Sequence, residues 1–528
     1  MYHNKRFQQD PGFLFTAFSH AQIKAATSGG FLLAESNKID EISERFLSLD
    51  QSVLQDILKR LGDGKVVKPS SQEEKDCFRI LSDLDHIGGK VSGSITAKKH
   101  QRQEIWSLTA YEGAPAWYLT VSPPDSKNPL CLYLASDDER FEVKMLEGNV
   151  RLRRVANNPV ACARFFHFMI ELFIKHILGV NTDHPGLYGK NSAYYGTVEQ
   201  QGRLTLHLHI LVWIAGSPSP DEIRKRLMDP TSDFQHLLIE YLESTHIGEF
   251  LTDTKDDVLN QLSIDAAKKD YIDPTDVLPS PPPDPCKENC KLESCSPCQN
   301  LSEWWSFFKF TVDCIVALSN IHTCFSTKKK DGTQDKRRPF LGCLDNVWNK
   351  CKARFPRPIF PESSVDPVTG ALNVKKLEPM INTISPVISY VFRGNTDSTN
   401  LRSGTALKGV ILYVTDYITK MALKTHTMFD VIQTIFKDNV AILGGSESRR
   451  EKTRKLMTKM VNSLTAKMEL GAPMISMYLL GQPDHYMSHH FNNFFWEAFV
   501  REVEKDWSLD DAEVGSSKVL LVKIQDRL

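Results

Sequence analysis

Two histidines one residue apart, His207 and His209, stand within Leu204-Thr205-Leu206-His207-Leu208-His209-Ile210-Leu211-Val212-Trp213. Alternate residues of a β-strand leave the same face, so both imidazoles would project together, as two neighbouring ligands of one metal ion require. Glu199 and Gln201, on the preceding run or its turn, offer an oxygen as third ligand. The sequence does not set the register that would choose between them. Imidazole suits manganese, zinc or iron and is less typical for magnesium. On its own, His-x-His equally describes two histidines that fall on a strand by chance, or the ligand strand of an iron or zinc enzyme.

A second group lies two hundred residues on. Tyr413-Val414-Thr415-Asp416-Tyr417-Ile418-Thr419-Lys420 places Tyr413, Tyr417 and Lys420 on one side of a helix, beside an apolar stripe of Val410, Val414, Ile418 and Met421 that can pack on a sheet. The β-branched content also permits a strand, which would turn Lys420 to the other face. Ordinary packing explains such tyrosines when they stand alone. With a metal site they have a chemical use: a phenolate can attack phosphorus, the metal polarises the phosphate, and the ammonium stabilises its charge. The covalent phosphotyrosine conserves the energy for rejoining.

The elements that must position these groups can be read around them. Trp117-Tyr118-Leu119-Thr120-Val121-Ser122-Pro123 predicts a strand closed by a proline. Pro159 to Leu178 predicts a helix with a first-turn proline. Ala193–Val198 and Leu204–Ile214 predict a hairpin. The region before Lys99 reads as helical, Asp273 to Pro285 as a stiff proline-rich linker, and Ala406 to Ala498 as mostly helical.

Composition narrows the function classes. The 528 residues suffice for two to four domains, and the formal net charge of -1 excludes a globally basic surface, so nucleic-acid binding would rest on local clusters. No apolar run reaches membrane-spanning length and the first residues carry no signal core, which predicts an intracellular protein without a membrane partner. No G-x-x-x-x-G-K-[ST] occurs, so ATP-driven unwinding by this chain alone is not expected.

Eight of the eleven cysteines lie between Cys286 and Cys351, which in a reducing compartment points to metal before disulfides. His322-x-Cys324 with Cys343 and Cys351 offers one imidazole and three sulfurs for a closed tetrahedral zinc site. Cys286, Cys290, Cys295 and Cys298 form a second set in which only the last pair has familiar ligand spacing. Lys328-Lys329-Lys330, Lys336-Arg337-Arg338 and the helix with Arg449, Arg450, Arg454 and Lys455 read either as solvated surface or as DNA contacts. Trp304, Trp305, Phe307 and Phe308 read as core or as base-stacking surface.

In order and chemistry, Tyr118-Leu119-Thr120-Val121-Ser122-Pro123, His207-Leu208-His209 and Tyr413/Tyr417/Lys420 resemble the three motifs of rolling-circle initiators of the HUH endonuclease class. The two tyrosines, Glu199 and Gln201 before the histidines, Tyr194 to Gln200, Asn158-Pro159 with its helix, and Cys351-Lys352-Ala353-Arg354-Phe355-Pro356-Arg357 resemble the N-terminal region of Helitron transposases of the fungal type, over about residues 10 to 490. The resemblance implies metal-dependent cleavage and transfer of single-stranded DNA through a 5′-phosphotyrosine. His207, His209 and either Glu199 or Gln201 would hold Mg²⁺ or Mn²⁺, Tyr413 and Tyr417 would be nucleophiles, and Lys420 would assist at the phosphate. Structural Zn²⁺ would sit in the cysteine-rich insert. It also implies a separate helicase domain or protein as partner, and the DNA substrate implies a nuclear location.

The expected fold is α+β. A helical N-terminal region (1–110) precedes an antiparallel-sheet HUH nuclease core in two parts (111–272 and 359–430, the second with the tyrosine helix). A proline linker and cysteine-rich zinc-binding insert (273–358) separates the two, and a helical region (431–528) follows. The alternatives are an inactive DNA-binding remnant of a Helitron protein lacking its ATPase domain, and an unrelated metal enzyme using the histidine strand.

Overall fold

The computed structural model of the chain describes residues 4–63, 67–144, 146–200, 205–229, 231–287, 295–327, 342–401, 423–492 and 499–503. Residues up to Ser488 form one compact unit and those from His489 a second. In the second unit, 499–503 are helical.

Alternation builds the centre of the first unit. Between 206 and 214, Leu206, Leu208, Ile210 and Val212 interleave with His207, His209, Leu211 and Trp213, a pattern of β-branched and aromatic side chains suited to a pleated surface. The described strands are β1 (Trp117–Val121), β2 (Asn191–Gln200), β3 (Leu206–Ile214), β4 (Ser364–Val365), β5 (Leu372–Asn373), β6 (Thr396–Asn400) and β7 (His485–Met487). β4 and β5 make a small ribbon, and the others form a five-stranded sheet in the order β6-β1-β3-β2-β7. Every pairing in it is antiparallel. The predicted hairpin is β2–β3, and the predicted proline-stopped strand is β1.

Among the described helices are α1 (Pro11–Ala34), α2 (Ile39–Leu47), α3 (Gln51–Gly62), α4 (Gln72–Asp83), α5 (Ile95–Glu112), α6 (Pro159–Leu172), α7 (Ser296–Ser319), α8 (Thr425–Asp438), α9 (Arg449–Ala466) and α10 (Ala472–Leu479). The apolar sheet face, with Leu119, Leu208, Ile210 and Val212, packs on Phe166, Ile170 and Phe173. These come from α6 and the π-helical turn Phe173–Ile177 that continues it. Asn158 caps α6 by accepting from the Ala161 amide at 3.1 Å, and Pro159 occupies its first turn. Burying each such Leu or Ile contributes roughly 1.5–3 kcal/mol, and Ile210→Ala, at a fully buried position, would cost roughly 2–5 kcal/mol.

The N-terminal helices do not fold apart from the rest of this unit. Their apolar faces share one core with α8 and α9: Phe46 meets Phe436 at 4.9 Å and Phe78 meets Phe429 at 5.0 Å. Gly30 permits the close crossing of α1 and α9, since a Cβ there would stand 2.3 Å from the Thr458 hydroxyl oxygen. A third core joins α7 to the helix Pro386–Phe392 through Phe308, Val312, Val316 and Tyr390. The described fold is thus α+β with an antiparallel sheet, helical regions and a cysteine-rich cluster. Among the described residues no helix is long and apolar enough to cross a membrane.

Candidate functional site

Register places the histidines. Glu199 pairs with His207 and Thr197 with His209 across β2–β3. Thr120 pairs with His209 across β1–β3, Asp397 with Thr120 across β6–β1, and His485 with Thr197 across β7–β2. Directly paired residues share a face, so His485, Thr197, His209, Thr120 and Asp397 form one row across all five strands. Glu199 and His207 stand side by side in the next row on the same face.

Each ring is fixed at Nδ1. His209 is 2% exposed; its Nδ1 lies 2.9 Å from the Tyr118 hydroxyl and 3.1 Å from Thr120 Oγ1, and Tyr118 stacks on it with rings 9° from parallel. Its Nε2 meets Glu199 Oε2 at 3.1 Å. His207, also buried, has Nδ1 3.0 Å from the Thr205 carbonyl oxygen, which makes Nδ1 the donor and puts the lone pair on Nε2. Burial, helped by the neighbouring His209, lowers its pKa to about 4, so the ring is neutral at neutral pH and able to bind metal.

The donor set suits a divalent ion: two imidazoles, with a buried carboxylate oxygen, Oε2 of Glu199, that makes no hydrogen bond among the described residues. The three are not fully gathered. His209 and Glu199 touch, but His207 is not drawn into a common cluster with them, whereas two cysteine sets do bring their ligand atoms within 4.8 Å of one another. Gln201, the alternative third ligand, lies outside the described residues.

Helix α5 covers the β2–β7 side of the histidine face with a polar network. The Tyr195 hydroxyl donates to Glu104 at 2.5 Å, His485 Nδ1 lies 2.7 Å from Asp484, and Tyr478 donates to Asp484 at 2.9 Å. Burial would raise the Asp484 pKa, but the His485 bond and the Lys98 charge hold it at about 2. Burial lowers the pKa of Lys98, opposed by the charges of Asp484 and Glu199. The Lys98 amine donates to Gln101 Oε1 at 3.2 Å, close enough to Asp484 and Glu199 to feel their charges. At the other end of the row, burial raises the pKa of Asp397, offset by bonds from Thr399 and Asn382 and by the Arg357 charge. Sequence reasoning missed Lys98, Asp397 and His485. Lys98 sits in a helix with no motif, and Thr396-Asp397-Ser398-Thr399-Asn400 lacks the apolar alternation that marks a strand.

His322, Cys324, Cys343 and Cys351 come together with ligand atoms within 4.8 Å of one another, an arrangement that can coordinate a structural metal such as zinc. Burial would raise the Cys351 pKa, but the backbone amides of Phe355 and Ala353 outweigh it and hold the thiol below its usual range, whereas burial and the neighbouring Cys351 and Cys343 thiols push Cys324 up to about 12. Cys286, Cys295 and Cys298 form a second gathered set; Cys290 lies outside the described residues.

Tyr413, Tyr417 and Lys420 also lie outside the described residues, as do Lys328 to Lys330 and Lys336 to Arg338. The aromatic run divides. Trp304 and Phe308 pack on Tyr390, while Trp305 and Phe307 are about half exposed at 48% and 52%. The basic helix α9 is largely ion-paired: Arg450 with Asp40, Lys455 with Glu447, and Arg454 with Glu451 at 2.6 Å.

Residues 1–212 match the family model of the Helitron helicase-like domain at the N-terminus, so a Helitron-like N-terminal domain is present. The matched stretch includes Tyr118, Thr120, Glu199, His207 and His209 and ends before both cysteine sets. No curated protein matches the chain.

Proposed function

We propose that this protein nicks and rejoins single-stranded DNA through a 5′-phosphotyrosine, as in rolling-circle Helitron transposition. The observation that carries the reading is the meeting of His209 Nε2 and Glu199 Oε2 at 3.1 Å on a sheet face that also bears His207, inside the Helitron-like segment.

His207, His209 and Glu199 are the residues to hold the metal, with Gln201 as the alternative oxygen. Mg²⁺ or Mn²⁺ bound there would polarise a phosphodiester as a Lewis acid. Thr120 and Tyr118 hold the His209 ring so that Nε2, not Nδ1, is presented. Tyr413 or Tyr417 supplies the nucleophile: its phenolate oxygen bonds to phosphorus as the P–O3′ bond breaks, and the departing 3′ oxygen takes a proton. Reversal with a new 3′-hydroxyl restores the phosphodiester and releases the phenol, so no external energy source is consumed. Lys420 stabilises charge on the phosphate. The two tyrosines allow one to hold a strand end while the other cuts, and a helicase domain or protein would supply single strands in the nucleus.

A second reading, a DNA-binding protein without the cutting step, draws on the separation of His207 from the His209–Glu199 contact. Incubating 5′-labelled single strands with the protein and Mn²⁺ separates the two. Nuclease activity predicts metal-dependent shortening that His209→Ala abolishes; intact strands that are nonetheless bound would favour the second reading.

A further inference from the structure

A run of contacts connects the Cys/His set to the histidine row. His322 Nε2 lies 3.3 Å from Cys351 Sγ, and its ring stacks on Phe355 at 4.4 Å. The Arg357 guanidinium covers the Phe355 ring at 4.7 Å and donates through Nη2 to Asn382 Oδ1 at 2.9 Å. Asn382 in turn lies against the Asp397 carboxylate, and Asp397 pairs with Thr120, the residue beside His209. The backbone repeats the connection: the His322 amide donates to the Met380 carbonyl and the Arg357 amide to the Pro379 carbonyl, both at 2.8 Å.

A guanidinium carries five donors in a rigid fork matched to phosphate oxygens, and Asn382 takes one of them. Ring stacking and the backbone bond fix the group, which lowers the entropy lost when it binds an anion. Its position is also informative. Arg357 stands at the β6 end of the row, where Asn382 lies between it and Asp397, and away from the β2–β7 side that α5 covers.

We propose that Arg357 binds a backbone phosphate of a single DNA strand laid across the histidine face, and that metal bound by His322, Cys324, Cys343 and Cys351 fixes it there. The inference rests on the single-strand reading above, but it concerns binding and is separable from cutting.

The test measures affinity of the full chain for a labelled single-stranded oligonucleotide across a salt series, without added manganese, beside the zinc content of each variant. Arg357→Ala should weaken binding about fivefold to tenfold and lower the slope of log affinity against log salt by about 0.7, the loss of one phosphate contact on a single strand. It should keep its zinc. Arg357→Lys, which retains the charge, should recover the slope but not the full affinity. Cys343→Ser should lose one zinc and bind as weakly as Arg357→Ala, and the double variant should bind no more weakly than either. An unchanged slope in Arg357→Ala, full affinity in zinc-depleted Cys343→Ser, additive losses in the double variant, or no measurable single-strand binding by the unaltered protein would each overturn the proposal. Strands bound with this dependence on Arg357 but never nicked would leave it standing and remove the nuclease reading instead. Nicking with full affinity in Arg357→Ala would do the reverse.

Discussion

His209 and Glu199 face each other across the β2–β3 pairing with Nε2 and Oε2 3.1 Å apart. Their positions are offset by two residues of register, since Glu199 is opposite His207 and His209 opposite Thr197, so the carboxylate reaches diagonally to the second histidine. Such a diagonal neighbour is within the span of a long side chain. A divalent ion would share this oxygen and nitrogen. Glu199→Gln keeps the shape and removes the charge, and it should weaken Mn²⁺ binding by at least about tenfold. Manganese titration followed by electron paramagnetic resonance checks this, and an affinity equal to that of the unaltered protein would assign the third ligand elsewhere, with Gln201 the first alternative.

The hydroxyls behind His209 should matter almost as much as the ligands. Tyr118 and Thr120 both contact Nδ1 and hold the ring with Nε2 facing Glu199. The Tyr118→Phe, Thr120→Val pair removes both hydroxyls with little change of volume. It should lower manganese affinity by about tenfold to a hundredfold while leaving zinc content unchanged. Equal losses of both metals would point to a fold defect.

Acid should destabilise the protein through two buried histidines. Burial lowers the pKa of His207 and of His246 to about 4, against about 6.5 unfolded. The depressed folded value means that the unfolded chain takes up protons the folded chain refuses, so stability falls as pH drops from about 6.5 towards 4. Each histidine then removes about 2 kcal/mol between pH 7 and pH 5. His246 packs edge-on to Trp117 and has Nδ1 2.8 Å from the Leu242 carbonyl oxygen, so His246→Gln tests the idea away from the metal ligands. Urea midpoints at the two pH values should show a loss smaller by about 2 kcal/mol in the variant; an equal loss in both proteins would contradict it.

The two cysteine sets predict a metal count. Cys286, Cys295 and Cys298 form one gathered set and His322, Cys324, Cys343 and Cys351 the other. Purified protein should carry two zinc equivalents by elemental analysis, with Cys351→Ser and Cys298→Ser each removing one. Because structural zinc binding is coupled to folding, each loss should also lower the melting temperature. Zinc-free protein with unchanged melting would reduce these sets to ordinary thiols.

The central strand, its hairpin partner and α6 were legible because their signals are local: period two in 204–214, and an Asn-Pro cap before an apolar run at 158–159. The gathering of His322 with Cys324, Cys343 and Cys351 was legible for a related reason, since few residue types ligate zinc and their number suffices for one site. The pairing of Glu199 with His207 was not, because shifting a strand by one residue exchanges its faces and nothing local fixed the register. Asp397 and His485 were illegible because each joins the row from a distant part of the chain: one on a polar strand, the other on a three-residue strand. The N-terminal helices announced an apolar face, but amphipathicity shows that a face is buried and not which partner buries it. That partner is the helix pair α8 and α9.

The central claim is the covalent step, and a denaturing gel tests it most directly. Labelled single-stranded oligonucleotides of varied sequence are mixed with the protein and Mn²⁺, beside Tyr413→Phe, Tyr417→Phe and the double variant. The account predicts a protein–DNA band that survives denaturation, requires metal and disappears in the double variant, with the single variants showing which tyrosine cuts first. An adduct that persists in the double variant, or strands bound throughout the pool without any adduct, would contradict it.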